Sequence, residues 1–416
     1  MNFVKICITI GALINCFVLC ILLPCFLVGL SLVIRLISIL IRQPRLFVTV
    51  DDWIMQYGER LIIFCCQTLP SHEIVLHGNT KVLEFLASRK RKDHVIYLSN
   101  HTAASDWIVS EFLSLKADYL AGMKFVLKNS LRYSPISGWF LRQRNCIYVR
   151  RGAKELNSFK KQMHRIAPGG FFSSGSWLVI FPEGTRIKDR SSDPKVFEAN
   201  DSYSMKQNMN LYSYLLTPKT RGLYMCTSEF LKSYESNRTS RDASNCWLLD
   251  ATIMYEPVGN FSTWKWLHGR TDDIKPRPKP VSIIGLLTGG LSHIHIHLDL
   301  KSMTDVNSTF GYTRPPADEQ TFTRWLEDLF LKKDKLLTSV VSRLNSTGAI
   351  TFDPTSKGQV ISRPWKETLP YALLGWLSLL VYFYVFGIKA FVFHFVAESI
   401  ICYILLAIFK DDSDYV

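Results

Sequence analysis

The distribution of apolar residues is the feature that most limits which folds this chain of 416 residues can adopt. These residues concentrate at the two ends of the chain. No charged side chain occurs between Lys5 and Arg35, in the run ICITIGALINCFVLCILLPCFLVGLSLVI. The run is longer than the ~20 apolar residues that a membrane helix needs, and Pro24 interrupts it. It predicts one tilted membrane helix or two shorter helices that dip in and out. A cleaved signal peptide is the alternative, but the apolar core is too long and no small-residue cleavage site stands out.

A second apolar region lies near the C-terminus. Residues 368–388 carry no charge, and residues 390–409 are apolar except for His394 and Glu398. We expect a helical hairpin in or on the membrane, with a buried pair of core helices as the alternative, and Glu398 weakens its second half because a carboxylate in lipid is costly. The predicted organisation is therefore a membrane segment over 1–41, one domain over 42–365, a membrane hairpin over 366–410 and a tail over 411–416.

The formal net charge is +14, and the middle of the chain carries the excess because the ends are nearly uncharged. A basic face suits nucleic acid or an anionic membrane and its lipids. The apolar ends favour the membrane, and the sequence contains no recognised nucleic-acid-binding module. Arg35, Arg42 and Arg45 follow the first apolar run whereas only Lys5 precedes it, which predicts that the middle domain is cytosolic.

Neither cysteines nor histidines form an evident metal site. The ten cysteines include no CxxC pair, so they indicate neither a zinc site nor a disulfide framework, and a reducing compartment fits them. His293, His295 and His297 alternate along a predicted strand and therefore share one face, where they could chelate a metal. No fourth ligand is evident and a polar sheet face explains the pattern, so we expect no metal here.

The middle of the chain predicts an α/β fold. Apolar runs of strand length alternate with helical patterns, for example Ile108, Phe112 and Leu115 at i, i+4 and i+7. We expect a central, mostly parallel or mixed sheet that is flanked by helices, with a further helix over 51–69 against the membrane or the core. The predicted strands are 95–99, 118–126, 146–150, 177–181, 248–255 and 293–300.

The stretch NHTAASDW, residues 100–107, places His101 after a strand and Asp106 at the start of a helix. Residues five apart on one helix point about 140° away from each other, so the two can meet only if His101 lies in the turn. There Asp106 can accept an imidazole N–H and leave the other nitrogen free to take a proton from a hydroxyl. A histidine with a purely structural hydrogen bond would give the same isolated spacing. No G-x-S-x-G nucleophile is present, so we expect the pair to act directly on a substrate hydroxyl.

Two further stretches end predicted strands with basic residues. In FPEGTR, Pro182 stops the strand, Gly184 lets backbone N–H groups approach an anion, and Arg186 offers a fork for phosphate. Glu183 could fix that arginine or contact a substrate. In CIYVRR, residues 146–151, one of the two arginines alternates inward towards the same edge. An ordinary turn with solvated charges is the alternative for each stretch taken alone.

Taken together, these motifs resemble a known enzyme family. NHTAASDW, CIYVRR, FPEGTR and LLTPKTRG (215–222) look like the four motifs of the glycerolipid acyltransferases in the 1-acylglycerol-3-phosphate acyltransferase family. Stretches such as DDWIMQYGERLIIF, RYSPISGWF and SHIHIHLD resemble its epsilon-type members, and the likeness extends in order from about residue 45 to about residue 385.

The resemblance implies a role for each matching residue. His101 would be the base and Asp106 its partner, and Arg151 would match the arginine of the second motif. Glu183, Gly184, Thr185 and Arg186 would hold the acceptor phosphate, and Pro218 would belong to the side of the acyl donor. The sequence departs from the family pattern at three places. Asn145 stands where the second motif commonly has glycine, Arg150 adds a basic residue before Arg151, and the stretch KSYESNRTSRDASNCW is longer than its counterpart. These departures put the acceptor preference in question.

The implied fold is a glycerolipid acyltransferase-like domain, and the implied reaction is attack by the free hydroxyl of lysophosphatidate on the thioester of acyl-CoA, without a cofactor. The implied location is the endoplasmic reticulum membrane, with the mitochondrial outer membrane as the alternative. Three other functions stay open: acylation of lysophosphatidylinositol or lysocardiolipin, a catalytically idle membrane scaffold, and a nucleic-acid binder that charge alone suggests.

Overall fold

The computed structural model describes most of the chain. The described residues are 3–70, 72–88, 92–134, 137–149, 156–168, 175–190, 193–237, 244–259, 264–267, 274–280, 282–355 and 358–408. Its strands are β1 Glu73–Gly78, β2 His94–Ser99, β3 Met123–Lys128, β4 Ile147–Val149, β5 Ser176–Ile180, β6 Cys246–Pro257, β7 Trp266–Leu267, β8 Arg277–Pro278, β9 Leu291–Ser302 and β10 Gln359–Ile361.

The helices lie between and around these strands. They are α1 Phe3–Phe17, α2 Leu23–Leu40, α3 Pro44–Ile63, α4 Val82–Ser88, α5 Asp106–Lys116, α6 Ser137–Gln143, α7 Leu156–Ile166, α8 Pro194–Gln207, α9 Thr220–Asn237, α10 Ile283–Leu287, α11 Glu319–Thr347 and α12 Trp365–Ile408. Two π-helical turns extend them: Val18–Leu22 joins α1 to α2, and Phe64–Thr68 follows α3.

One mixed sheet of eight described strands forms the centre, in the order β10-β1-β9-β6-β2-β5-β3-β4. β2 lies parallel to both β5 and β6, so their carboxyl ends meet at one edge. β9 lies antiparallel to β6, and β10 lies antiparallel to β1. The predicted α/β class with a central sheet and flanking helices is confirmed, and all six predicted strands overlap observed ones.

Successive residues of a strand point to opposite sides of the sheet, so the buried strands present apolar side chains on both faces. Helices cover both of these faces. On one face, side chains of α3 and α5 such as Tyr57 and Phe112 belong to the same buried apolar cluster as Tyr97 of β2. On the other face, α9 and α11 pack side chains such as Phe230 and Phe330 against neighbouring strand residues. The site described below therefore lies at the edge of a sheet that is covered on both sides.

Membrane helices were expected at both ends, and the described residues support a candidate span at the C-terminal end only. Among the described residues, only Trp365–Gly387 is a helix long and apolar enough to cross a membrane. Gly387, with a φ of 72°, interrupts α12 at the end of that span. In the N-terminal run, the π-helical turn Val18–Leu22 joins α1 to α2. Leu19 and Leu23 are buried in the protein core, so part of this run covers protein.

Candidate active site

His101 and Asp106 meet in the turn between β2 and α5. The strand ends at Ser99, and Asp106 is the first residue of the helix. The Nδ1 atom of His101 lies 2.8 Å from Oδ2 of Asp106. The imidazole ring stacks on Phe181, and its side chain is 22% exposed. Nε2 makes no hydrogen bond to any described residue, so the nitrogen that faces away from Asp106 can meet a substrate hydroxyl.

Asp106 is fully buried and its carboxylate is surrounded by donors. Oδ2 also accepts the backbone N–H groups of Thr102 (2.7 Å) and Ala103 (2.9 Å). Oδ1 accepts the hydroxyl of Tyr255 at 2.6 Å. These bonds fix the carboxylate, and with it the tautomer of His101 in which Nδ1 carries the proton towards Asp106.

Tyr255 is a site residue that the sequence did not reveal. It lies on β6, 149 positions from Asp106 in the chain. Burial and the neighbouring Asp106 carboxylate raise the pKa of Tyr255 well above its usual range, so it stays a hydroxyl donor. No local pattern marks Tyr255, because an aromatic residue in a strand is ordinary.

Glu183 joins the first motif to the third and fourth. Its Oε1 accepts the backbone N–H of His101 at 2.8 Å, and its Oε2 accepts the N–H of Leu216 at 2.9 Å. The side chain is 1% exposed. Burial raises the pKa of Glu183 to about 7, although the two backbone bonds oppose that shift. Both oxygens thus accept backbone N–H groups, so Glu183 positions the two loops, and its predicted contact with the substrate stays a prediction.

The third motif turns sharply after β5. The N–H of Gly184 donates to the carbonyl of Phe181 at 3.0 Å, and Gly184 has a φ of 69°, a conformation that favours glycine. The N–H of Ile187 then donates to the carbonyl of His101 at 2.9 Å. The turn is therefore fastened to the backbone of the histidine.

Gly184, Thr185 and Arg186 lie exposed on the outside of this turn. Neither Thr185 nor Arg186 makes a hydrogen bond or an ion pair with another described residue. Two backbone N–H groups and one guanidinium therefore remain available next to His101. Such a set of donors suits a phosphate group.

The fourth motif packs behind the third. The N–H of Lys219 donates to the carbonyl of Pro182 at 2.7 Å, and the N–H of Thr217 donates to Oδ1 of Asn200 at 2.8 Å. Pro218 between them is buried. The structure thus brings Pro218 beside the third motif, and its predicted link to the acyl donor stays a prediction. Arg151 of the second motif lies outside the described residues, just beyond the end of β4.

Arg277 is a second residue that the sequence did not reveal. It lies on β8 and is 3% exposed, and it acts electrostatically on the carboxylates of Glu183 and Asp106. Burial lowers its pKa, whereas these carboxylates raise it. Its Nη2 is buried without a hydrogen-bond partner among the described residues. The proline-rich stretch KPRPKP, residues 275–280, therefore supplies a positive charge close to the site.

Comparison with known proteins shows which family of proteins this chain is similar to. Residues 74–221 match the family model described as Acyltransferase. The chain is 26% identical over 342 residues to 1-acyl-sn-glycerol-3-phosphate acyltransferase epsilon of Mus musculus, an alignment that covers 82% of this chain and 80% of the mouse protein.

Two further relatives differ in the acceptor that their names give. Over 294 residues the chain is 24% identical to 1-acyl-sn-glycerol-3-phosphate acyltransferase 2 of Brassica oleracea, covering 70% of this chain and 61% of the plant protein. Over 339 residues it is 23% identical to 2-acyl-1-lysophosphatidylinositol acyltransferase of Saccharomyces cerevisiae, covering 71% of this chain and 74% of the yeast protein.

Proposed function

We propose that this enzyme, whose residues 74–221 form a domain of the acyltransferase family, transfers a fatty acyl group from acyl-CoA to the free hydroxyl of lysophosphatidate and so makes phosphatidate. The hydrogen bond of 2.8 Å between His101 and Asp106, near Arg186, which pairs with no described residue, is the observation that carries this proposal. The names of the mouse and Brassica relatives support lysophosphatidate as the acceptor.

In this reaction His101 acts as the base. Nε2 takes the proton of the acceptor hydroxyl while the hydroxyl oxygen attacks the thioester carbon. Asp106 stabilises the imidazolium that forms, because its carboxylate lies 2.8 Å from Nδ1. The new C–O bond replaces the C–S bond, and the proton on Nε2 passes to the leaving sulfur of CoA. A thioester is already activated, so a base and correct orientation are sufficient.

The acceptor phosphate binds at the exposed turn of the third motif. Arg186 and the N–H groups of Thr185 and Arg186 provide the donors, and the carbonyl of His101 accepts from the next residue, Ile187, at 2.9 Å. That bond fixes the distance between the phosphate site and the base. Glu183 stays behind the turn and holds both loops in position.

The protein acts at a membrane, with the endoplasmic reticulum as the expected location and the site on the cytosolic side. The helix Trp365–Gly387 supports a membrane location, since only 17% of its apolar stretch is buried within the protein. Its large apolar side chains, such as Leu373, Leu377 and Leu380, face away from the rest of the chain. Lipid around this helix would bring the site close to its lipid substrates.

An assay of the purified protein with labelled acyl-CoA and a panel of lysophospholipids tests the proposal. We expect His101→Ala to lower kcat by about 10²- to 10⁴-fold, because general-base catalysis contributes that much. Equal activity of wild type and variant would remove the base assignment. A higher kcat/KM with lysophosphatidylinositol than with lysophosphatidate would favour the acceptor given in the name of the yeast relative. If none of the lysophospholipids were acylated, an idle scaffold would be favoured.

The phosphate site has its own matched pair of variants. Arg186→Ala should raise the KM for the acceptor by about 10- to 100-fold with a smaller change in kcat, since a charged hydrogen bond contributes roughly 1.5–3 kcal/mol. Arg190→Ala removes another exposed arginine from the same loop and should leave that KM unchanged. A KM that responds equally to both substitutions would contradict the phosphate role.

A further inference from the structure

Three side chains on β6 and β9 converge away from the catalytic residues. The Oε2 atom of Glu256 lies 3.0 Å from Nδ1 of His293 and 2.8 Å from Nε2 of His295. The three candidate ligand atoms all lie within 4.8 Å of one another. We call Glu256, His293 and His295 the His-Glu cluster.

Strand geometry explains why these three side chains meet. Glu256 pairs directly with His293 across the antiparallel strands, and His295 lies two residues further on the same face. Tyr255, the neighbour of Glu256, points to the opposite face, where it binds Asp106. The His-Glu cluster is therefore separate from the catalytic pair but shares a strand with it.

Each histidine also has a partner at its second ring nitrogen. Nδ1 of His295 lies 3.0 Å from Nε2 of His77 on β1, and Nε2 of His293 lies 3.8 Å from a carboxylate oxygen of Glu73. Metal-binding histidines in proteins almost always have such an outer partner, which orients the ring and selects the tautomer. The cluster thus has an inner set of three ligands, one hydrogen-bonded outer partner in His77, and a nearby carboxylate in Glu73 at ion-pair distance.

The chemistry of the inner set indicates a transition metal. Two imidazole nitrogens and one carboxylate are a known ligand set for Zn²⁺, with the fourth position left for water. Mg²⁺ and Ca²⁺ prefer oxygen ligands only, so they do not match. Glu256 and His293 are half-buried, which leaves a path from solvent, and His295 is buried.

We propose that Glu256, His293 and His295 form a binding site for one divalent transition metal, with Zn²⁺ the best match, and that the metal braces β6 against β9. The ion would replace the protons now shared between Glu256 and the two imidazoles. Sequence alone gave the alternating histidines but not the carboxylate, because Glu256 is 37 positions from His293 in the chain. The expectation of no metal is revised by that third ligand.

The experiment uses the untagged full chain in detergent, after treatment with a chelator, with Zn²⁺ alone as the probe. We expect titration calorimetry to give one bound Zn²⁺ that is weakened at least 10-fold in both His293→Asn and Glu256→Gln. Zn²⁺ should also raise the Tm of the wild type but not of these variants, because an ion that binds only the folded state stabilises it.

His297→Asn is the matched control. His297 is on the same strand and the same face, but its ring stacks on Phe352 and it is outside the cluster. Zn²⁺ affinity should be unchanged in this variant. Thiols such as Cys65 could bind Zn²⁺ as well, so the deciding quantity is the difference between variants. Equal Zn²⁺ affinity in the wild type, His293→Asn and Glu256→Gln, or no binding by the wild type, would overturn the proposal.

Discussion

At the scale of single residues, the site depends on carboxylates that are held by backbone donors. Asp106 accepts from Thr102, Ala103 and Tyr255 as well as from His101. Its orientation is therefore set before any substrate arrives, and so is the orientation of the imidazole. Preorganisation of this kind lowers the cost of reaching the transition state.

Glu183 gives this arrangement a measurable dependence on pH. Burial raises its pKa from 4.5 to about 7, so between those values the folded protein keeps a proton that the unfolded chain has lost. The free energy of unfolding should consequently fall as pH rises from about 4.5 to about 7, by roughly 3 kcal/mol from this group, and then stay level. Glu183→Gln removes that contribution because glutamine does not titrate.

The measurement is the Tm of the wild type and of Glu183→Gln in detergent at several pH values from 4.5 to 8. Relative to the variant, the wild type should lose several degrees across the window. Other groups titrate equally in both proteins, so only the difference counts. A difference that is constant with pH would contradict the raised pKa.

The catalytic pair could be predicted from the sequence because its geometry is local. His101 and Asp106 are five residues apart, and one strand end and one helix start fix their relation. Tyr255 and Arg277 could not be predicted, since each interacts with a site residue that is more than 90 positions away in the chain. Glu183 was found, but its role was not, because a hydrogen bond to the backbone of Leu216 leaves no trace in the sequence.

At the scale of secondary-structure elements, six strands of the central sheet were predictable, whereas β1 and its neighbour β10 at the edge of the sheet were not. β2 and β5 are buried at nearly every position, so they form continuous apolar runs. β1, with the sequence EIVLHG, and the three-residue β10 were missed, because short strands carry little periodicity. The strand expected over 118–126 begins only at Met123, since a 3-10 turn over Leu120–Gly122 precedes it.

The long helix α11 is linked to the sheet by an ion pair between the buried Lys333 and the half-buried Asp250. Nζ of Lys333 lies 2.5 Å from Oδ1 of Asp250 and 2.5 Å from the carbonyl of Ala251. Lys333→Met should destabilise the protein by about 3–5 kcal/mol, because it leaves the Asp250 carboxylate without its cation. The double variant Lys333→Met with Asp250→Leu should recover most of that loss, since it removes both charges.

Denaturant unfolding of both proteins measures these differences. Lys332→Met changes the exposed neighbour of Lys333 and should stay within about 0.5 kcal/mol of the wild type. If the single and double variants at the ion pair proved equally unstable, packing of the lysine stem rather than charge would be responsible.

At the scale of the whole molecule, the apolar surface is uneven. Leu373 and Leu380 of α12 are 61% and 62% exposed, a large fraction for leucine side chains on one helix. Arginine at both positions should release the protein from membranes, because each arginine near the centre of a membrane helix costs about 2.5–3.5 kcal/mol. The fraction that resists extraction with alkaline carbonate measures this.

Two exposed apolar residues outside α12 supply the control. Met205 and Val306 are 74% and 69% exposed, and arginine at both should leave the resistant fraction unchanged. Wild-type-like retention of the Leu373→Arg and Leu380→Arg double variant would mean that α12 does not hold the protein in the bilayer.

The strand order has a consequence for synthesis of the protein on the ribosome. The family-model match ends at residue 221, yet β6 and β9, which separate β1 from β2 in the sheet, are translated later. Asn100, the neighbour of the proposed base His101, donates to and accepts from the backbone of Ile253, at 3.1 and 2.8 Å. A nascent chain that already contains all four motifs therefore lacks the strands that complete the site. Acylation becomes possible only after the second half of the protein has been synthesised.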